Sequence, residues 1–144
     1  MADLTLATAD EISVGTSGPN TQFTGVAGAA ITAGSPVCFN GTDSTLFPSD
    51  ANDAAKDAVA GIATRTVAIG EAVTCIRQGY MSGWSNLPVP GSLVWVSDTA
   101  GALADTAPVT AIIVGMVVPV HGAPLGTAAD RVLLVDITGI GKAA

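Results

Sequence analysis

Few side chains of this 144-residue chain belong to the types that perform acid–base, nucleophilic or metal chemistry. There is one histidine, His121, and no motif places a serine or cysteine nucleophile beside it. A single histidine does not form the metal sites that need several histidine or cysteine ligands. The two cysteines, Cys38 and Cys75, lie in apolar runs typical of strands, where a free thiol behaves as a small hydrophobic group. We therefore expect no enzyme activity, no catalytic residues, no bound metal and no cofactor.

Two groups of charged residues leave weaker alternatives open. Acidic residues cluster between positions 50 and 57, but their spacing is not that of a calcium-binding loop, and the start of a solvated helix fits better. An enzyme whose site forms across subunits would need a polar pocket, for which Glu71, Arg77 and His121 are the available ionisable groups. Such a small β-barrel enzyme is the least favoured of the three functions that we consider, and the other two are given below.

The composition indicates a surface suited to contact with other protein. Charged residues make up 12% of the chain, about half of the usual share, and the net charge is −7. The five basic residues are scattered singly, whereas binding to nucleic acid or to an anionic membrane requires clustered cations. The N-terminus has no signal-peptide pattern. We expect a soluble protein made in a cytoplasm, where a disulfide between the two cysteines is disfavoured.

Short runs of Val, Ile and Thr between glycines and prolines predict an all-β fold, a small β-barrel or sandwich. One short helix is predicted from Asp50 to Ala60. The longest apolar runs have apolar residues at successive positions, which is typical of strands buried on both faces, by a core and by a partner or second layer. The predicted strands are Thr24–Ile31, Pro36–Asn40, Val59–Thr66, Ala72–Gln78, Leu93–Ser97, Thr110–Val118 and Arg131–Thr138.

A weak internal repeat suggests that one β unit is used twice. A glycine turn, a strand, a polar tip and a leucine occur from Gly34 to Leu46 and again from Gly91 to Leu103, 57 residues later (91 − 34). Each copy is followed by a strand that contains a glycine, Gly61 or Gly115. The alternative is chance resemblance between stretches rich in Gly, Val and Ala. We predict a single β domain from 24 to 144, with pseudo-repeats at about 27–83 and 84–144.

Residues 1 to 23 differ in character, and we predict that they form an N-terminal arm. The run from Leu4 to Thr8 alternates as a half-buried or edge strand does, and a flexible break from Gly15 to Asn20 follows it. Such an arm is suited to adding a strand to a sheet edge of another protein. The alternatives are a disordered tail and a first strand of the domain. The candidate contact residues in the arm are Leu4, Leu6, Ile12, Val14 and Phe23.

A loop after the strand that ends near Gln78 carries large apolar side chains. Tryptophan and tyrosine dominate binding energies at protein interfaces, so we predict an interface with another copy or with a partner protein here. The alternative is a loop that folds back onto the core. A second tryptophan, Trp95, lies within a strand and is either core or a contact with another subunit. The candidate interface residues in the loop are Tyr80, Met81, Trp84 and Leu87.

The stretch from Ala27 to Gly83 resembles the small capsid decoration proteins of tailed phages. The resemblance lies in Gly34-Ser35-Pro36-Val37, in Val59-Ala60-Gly61-Ile62-Ala63, and in the run from Ala68 to Ile76 with its Gly70-Glu71-Ala72-Val73 turn, followed by Gly79. In that family a "vaGIA" strand, a Gly-Glu-x-Val turn and a strand ending in glycine recur. The N-terminal arm and the Trp84 loop have no counterpart in this pattern, which leaves the binding surface open.

The resemblance implies a β-rich protomer that forms a homotrimer on the outer surface of the expanded phage head. There it would clamp neighbouring copies of the major capsid protein against the pressure of the packaged DNA, without catalysis or cofactor. The candidate contact residues of the arm would then be capsid contacts, and the candidate interface residues of the loop would contact either another protomer or the capsid protein. The expected location is therefore the outside of the virion capsid. The alternative function is another β-structured virion or surface-assembly component, such as a tail, fibre or array module.

Overall fold

The computed structural model describes residues 3–15, 20–119 and 131–137, and these form an all-β structure of ten strands. The strands are antiparallel and build one curled sheet, a half-barrel, which confirms the predicted mainly-β fold class. The strands are β1 (Ser13–Val14), β2 (Thr21–Val26), β3 (Pro36–Phe39), β4 (Leu46–Pro48), β5 (Gly61–Ala63), β6 (Ala72–Ser82), β7 (Leu93–Val96), β8 (Leu103–Ala104), β9 (Ile113–Pro119) and β10 (Arg131–Asp136).

The longest strand, β6, organises the sheet because four other strands pair with it. β2 and β5 pair with its first half, whereas β10 and β1 pair with its second half. The strand order is β4-β3-β5-β6-β10-β9-β7-β8, so β6 and β10 form the middle pair. Each half of this path contains four strands, and we name β3 to β6 the first unit and β7 to β10 the second unit.

The two units repeat each other in strand order and in register. In the first unit, β3 pairs with the short strand β4 on one side and with the glycine-containing strand β5 on the other, and β5 then pairs with β6. In the second unit, β7 pairs in the same way with β8 and β9, and β9 pairs with β10. The predicted use of one β unit twice is therefore visible residue by residue in the pairing. The equivalent pairs are Phe39–Leu46 and Val96–Leu103, Val37–Gly61 and Val94–Gly115, and Ile62–Ile76 and Met116–Leu134.

The first unit has a hydrophobic cluster on each of its faces. Ile62 and Ile76 belong to the larger cluster, which also contains the inward-facing side chains of the second unit, such as Leu133. Ala63 and Cys75 belong to the smaller cluster. Because successive residues of a strand point to opposite faces, β5 is buried on both sides, and so is β6 at Cys75 and Ile76.

Both ends of the strand path are covered by backbone from the same chain. At one end, the Gly28 amide donates to the Leu46 carbonyl in β4 at 2.8 Å. At the other end, the Leu4 amide donates to the Leu103 carbonyl in β8, also at 2.8 Å. Leu46 and Leu103 are equivalent residues of the two units, although the covering backbone is parallel to β4 at Ala27 and antiparallel to β8 at Asp3. An unpaired edge strand tends to pair with other chains, and these hydrogen bonds reduce that tendency.

The predicted helix from Asp50 to Ala60 is wrong, since these residues form turns. The side chain of Asp50 accepts a hydrogen bond from the Asn52 amide, and that of Asp53 accepts one from the Ala55 amide, both at 2.9 Å. Aspartate side chains that bond the backbone two residues on compete with helical hydrogen bonds. A pattern that resembles a capped helix start therefore folds as successive turns.

Each predicted strand has an observed counterpart, but most bounds differ. The first observed counterpart is β2, which begins at Thr21 and ends at Val26, while Ala27 and Ile31 take part only in isolated bridges. The end of the last predicted strand, Thr138, lies outside the described residues. Glycine turns at Gly34, Gly70 and Gly91 have positive φ angles of 81°, 88° and 91°, as expected for turns that favour glycine.

Replacing Gly115 with alanine is expected to destabilise the protein by about 1–3 kcal/mol, a typical cost of overpacking. An added Cβ would overlap the carbonyl oxygen of Leu134, which is fixed backbone rather than a movable side chain. The matched control is Gly41→Ala, since nothing lies within 4 Å of a Cβ there. Urea unfolding of both variants measures the difference, and equal stabilities would contradict the close packing of β9 on β10.

Candidate interaction surface

The predicted contact residues of the N-terminal arm lie against the body of the domain. Leu4 is buried in the larger cluster, and Leu6, Ile12 and Val14 pack against that cluster while partly buried. Phe23 lies in β2 and packs against the smaller cluster. Their assignment as capsid contacts therefore does not fit this conformation, in which the same apolar groups serve the fold. Residues 3–15 instead match the alternative of a first, strand-like segment of the domain.

Hydrogen bonds fix this segment to the loop that carries Trp84. The Thr5 amide donates to Oδ1 of Asn86 at 2.8 Å, and the Ser85 amide donates to the Thr5 carbonyl at 2.8 Å. Leu6 and Trp84 form a bridge between the two segments. The alternation of apolar and polar residues from Leu4 to Thr8 does accompany strand-like pairing, but the pairing partner is a loop of the same chain.

Three of the four predicted interface residues of the loop are core residues. Trp84 is 6% exposed, Met81 1% and Leu87 2%, and all three belong to the larger cluster. The indole of Trp84 lies over Gly34, where a Cβ would stand 3.3 Å from Cζ2. Their assignment as exposed interface anchors is therefore corrected to the alternative, a loop that folds back onto the core. Tyr80 alone is half-buried on the other side of β6.

A groove of about 510 Å³ lies between the first residues, the turn near Gly34 and the hairpin tip near Gly101. Asp10 is the only charged residue that lines it, and its Oδ1 accepts a hydrogen bond from Thr66 Oγ1 at 2.8 Å. Acid–base catalysis on a substrate normally uses a positioned group with a complementary partner. A single carboxylate that already has a hydrogen-bond donor supplies no such pair, so the groove itself carries no functional assignment.

Glu71 and Arg77, which an enzyme site across subunits would need, have structural partners. Glu71 Oε1 accepts a hydrogen bond from the Ala68 amide at 2.6 Å, within the turn before β6. Arg77 Nη1 donates to the Ala60 carbonyl at 3.1 Å. Six residues of extended strand separate their Cα atoms by about 20 Å. His121, the third residue of that hypothesis, lies outside the described residues.

Over the described part of the chain, no group of three or more His, Cys, Asp or Glu side chains is placed to hold a metal ion. The same residues include no helix with the length and apolar character needed to cross a membrane.

The two cysteines are free thiols buried on different strands. β5 lies between β3 and β6, so Cys38 and Cys75 are at least about 10 Å apart, too far for a disulfide. Burial raises the pKa of the Cys75 thiol to about 12. Burial also raises the pKa of Cys38, although the neighbouring Ser49 hydroxyl opposes the shift. Both groups therefore behave as small apolar core residues.

One face of the second unit exposes an apolar surface, which we name the outer face. Directly opposed residues of antiparallel strands point to the same side of the sheet, and Tyr80, Leu134, Met116 and Leu93 lie opposite one another across β6, β10, β9 and β7. Two further opposed pairs extend this row in both directions along the strands. The outer face consists of Tyr80, Leu93, Trp95, Ile113, Met116, Val118, Val132 and Leu134.

Solvent reaches every side chain of the outer face. Ile113 and Met116 are 43% and 41% exposed, and the other six are half-buried. None of the eight carries a charge, and the opposed pair Gln78 and Asp136 forms a polar border beyond Tyr80 and Leu134. An apolar centre with a polar rim is the usual anatomy of a protein interface.

Sequence reasoning located only part of this surface. The successive apolar residues from Val132 to Val135 indicated strands with a buried second face, and Trp95 was considered as a subunit contact. The row across β7, β9, β10 and β6 was missed because it depends on register between strands far apart in sequence. Because the repeat relates the two units, the strand pairings of the first unit, once they are known, predict those of the second.

Comparisons with known proteins supply no family for this chain. A scan against models of protein families finds no match, and a search of curated proteins finds none either.

Replacing Trp84 with alanine is expected to lower the free energy of unfolding by about 3–5 kcal/mol, the usual cost of removing a buried aromatic side chain. The control is Val89→Ala in the same loop, where the side chain is 60% exposed and the cost is within about 0.5 kcal/mol. Thermal or urea denaturation measures both. A Trp84→Ala variant as stable as the control would restore the loop as an exposed interface element.

Cys75 is expected to resist alkylation by iodoacetamide at pH 8 in the folded protein and to react once urea unfolds it. A pKa raised from 9.0 to about 12 leaves about a thousandfold less thiolate, the reactive form. Mass spectrometry of the Cys75 peptide over time measures the rate, with the unfolded protein as the control. Rapid labelling under native conditions would show that the face of β6 that carries Cys75 is not buried.

Proposed function

We propose that this chain is a capsid decoration protein of a tailed phage. In this role it forms a homotrimer on the outer surface of the expanded head and binds the major capsid protein where neighbouring capsomers meet. The trimer then resists the outward pressure of the packaged DNA by linking capsomers to one another. Such a function requires binding surfaces and symmetry, and no reaction.

The observation that carries this proposal is an apolar and uncharged outer face on an acidic β domain. Further apolar side chains are exposed away from it, including Phe39 at 50% and Ile69 at 71%. A negative charge of −7 opposes contact with DNA and suits a protein that stays outside the shell. Large exposed apolar surfaces on soluble proteins mark sites of contact with other proteins.

The resemblance in sequence adds a second, independent support. Its residues lie in the first unit, where Gly34 and Gly70 form turns with positive φ and Gly61 packs against the Ile76 carbonyl. These glycines are thus required by the backbone and are more informative than their common residue type suggests. The motif therefore corresponds to a structural unit with a defined register.

Symmetry accounts for strong binding without a strong single site. Three linked contacts of modest affinity can raise the overall affinity by about 10²–10⁴ when they engage together. Segment 3–15 is bound within its own domain, so the capsid contacts of this proposal are exposed side chains and loops of the folded domain. Rigid surfaces of this kind lose little conformational entropy on binding.

Purified protein mixed with expanded empty shells of the phage that encodes it is expected to bind saturably, at a fixed number of copies per shell. Sedimentation of the shells and densitometry of the bound protein give the ratio. Unexpanded shells serve as the control, and the resemblance implies that they bind fewer copies.

Failure to sediment with expanded shells, by protein whose folded state is verified by circular dichroism, would contradict the proposal. The alternative of a tail, fibre or array component would then be favoured. Binding without saturation would also count against it, because a lattice offers a fixed number of sites.

A further inference from the structure

The repeat allows two equivalent hairpin tips to be compared within the same chain. Residues 40–45 connect β3 to β4, and residues 97–102 connect β7 to β8, with equivalent strand pairs on either side of each tip. The first tip begins with Asn40-Gly41 and the second begins with Ser97-Asp98. Whatever the second tip does without asparagine and glycine is therefore not a structural reason for having them in the first.

The first residue of each tip has the same structural role. Oδ1 of Asn40 accepts a hydrogen bond from the Thr42 amide at 2.8 Å. Oγ of Ser97 accepts the equivalent bond from the Thr99 amide at 3.0 Å. Side chains of both types stabilise turns by bonding the backbone two residues on. A serine hydroxyl is sufficient for this turn, so the fold does not require the carboxamide of Asn40.

The fold does not require glycine at position 41 either. Asn-Gly pairs in hairpins usually form turns in which both residues have positive φ angles. In this tip the residue with a positive φ is Ser44, at 63°, and neither Asn40 nor Gly41 has one. Nothing lies within 4 Å of a Cβ at Gly41, and the equivalent Asp98 carries a full side chain. The pair therefore lacks the usual structural explanation.

Asparagine is chemically labile, and most so before glycine, whose backbone nitrogen no side chain hinders. The Gly41 nitrogen gives up its proton to water and forms a bond to Cγ of Asn40. The Cγ–Nδ2 bond then breaks, and the amide nitrogen takes up a proton and leaves as ammonia. Water opens the resulting five-membered imide at either of its two carbonyls. The products are aspartate and isoaspartate, and the sum of the steps is the exchange of one water for one ammonia.

The geometry of the tip favours this reaction in the folded protein. Gly41 is exposed, and no described residue accepts a hydrogen bond from its amide. The hydrogen bond from the Thr42 amide to Oδ1 of Asn40 spans Gly41, so it keeps the carboxamide folded back toward the attacking nitrogen. Negative charge develops on Oδ1 during the attack, and a backbone N–H donor at 2.8 Å stabilises such a charge.

We infer that Asn40-Gly41 is a site of spontaneous deamidation in the folded protein. As the protein ages, this tip gains one carboxylate, and the net charge changes from −7 to −8 (−7 − 1). The new charge is next in the chain to Phe39, a side chain that is 50% exposed. The inference is independent of the proposed function, since it requires neither an oligomer nor a capsid.

The test is peptide mass spectrometry of the unaltered, folded protein during warm incubation at neutral pH. Asn40 is expected to convert at least about tenfold faster than Asn86, a difference in barrier of at least ~1.4 kcal/mol. Asn86 is the internal reference, because Leu87 follows it and its carboxamide is bonded to the Thr5 amide and the Asp3 carbonyl. Equal stability of the two asparagines would overturn the inference, and no substitution is needed to see it.

Two variants separate the reacting groups. Gly41→Ala places a Cβ beside the attacking nitrogen without a clash, and it is expected to slow the conversion of Asn40 by at least about tenfold. Asn40→Ser installs the residue of the equivalent tip, so it is expected to fold normally and to gain no mass in this peptide. An unchanged rate in Gly41→Ala, or the same mass gain in Asn40→Ser, would overturn the inference.

The pH dependence and the products test the mechanism. The attacking group is a deprotonated backbone amide, so the rate is expected to rise by about tenfold for each added pH unit near neutrality. An Asn40→Asp variant supplies the chromatographic standard for one product, and enzymatic methylation of isoaspartate detects the other. A rate that does not change with pH, or the absence of isoaspartate, would overturn attack by the Gly41 nitrogen.

Discussion

The fold depends on the burial of one strand, β6, on both of its faces. Its first half separates the two hydrophobic clusters, with Ile76 on one side and Cys75 on the other. Its second half pairs with β10 and thereby joins the first unit to the second. At Cys75 and Ile76, adjacent positions face different clusters, so a polar substitution at either position would disturb one cluster. Apolar residues on both faces of β6 at this point are therefore a requirement of the topology.

The two units have the same strand registers but different surroundings. Residues of the second unit share the larger cluster with one face of the first unit, and Ala27, Ile31 and Val67 contribute to the cluster on its other face. The second unit itself has only its inner face covered by described residues of the chain. Two equivalent surfaces thus meet an apolar environment in one case and solvent in the other. Residues 3–15 close the edge at Leu103 of the second unit and pair through β1 with β6 of the first unit, so the N-terminal segment joins both units.

The fold class, the glycine turns and the repeat could be predicted from the sequence because each depends on local pattern. The burial of individual side chains could not be predicted from the sequence, and the two tryptophans illustrate why. Trp84 in a loop is core because Leu6 and Gly34, far away in sequence, pack on it. Trp95 in a strand is half-buried because the register of β7 turns it to the outer face. The predicted helix failed for a similar reason, since side chains of Asp50 and Asp53 bonded the backbone in turns that hydrophobic periodicity does not reveal.

Closed edges and an open face together restrict how this protein associates. Pairing through the ends of the strand path is opposed, because Gly28 and Leu4 already bond the outermost strands. Selection by charge is weak at a composition of 12% charged residues. The surface that is left is the outer face, whose shape comes from side chains such as Tyr80 and Trp95. Because these side chains keep their places only while the strands keep their register, the close contacts of Gly61 with Ile76 and of Gly115 with Leu134 also determine the shape of the outer face.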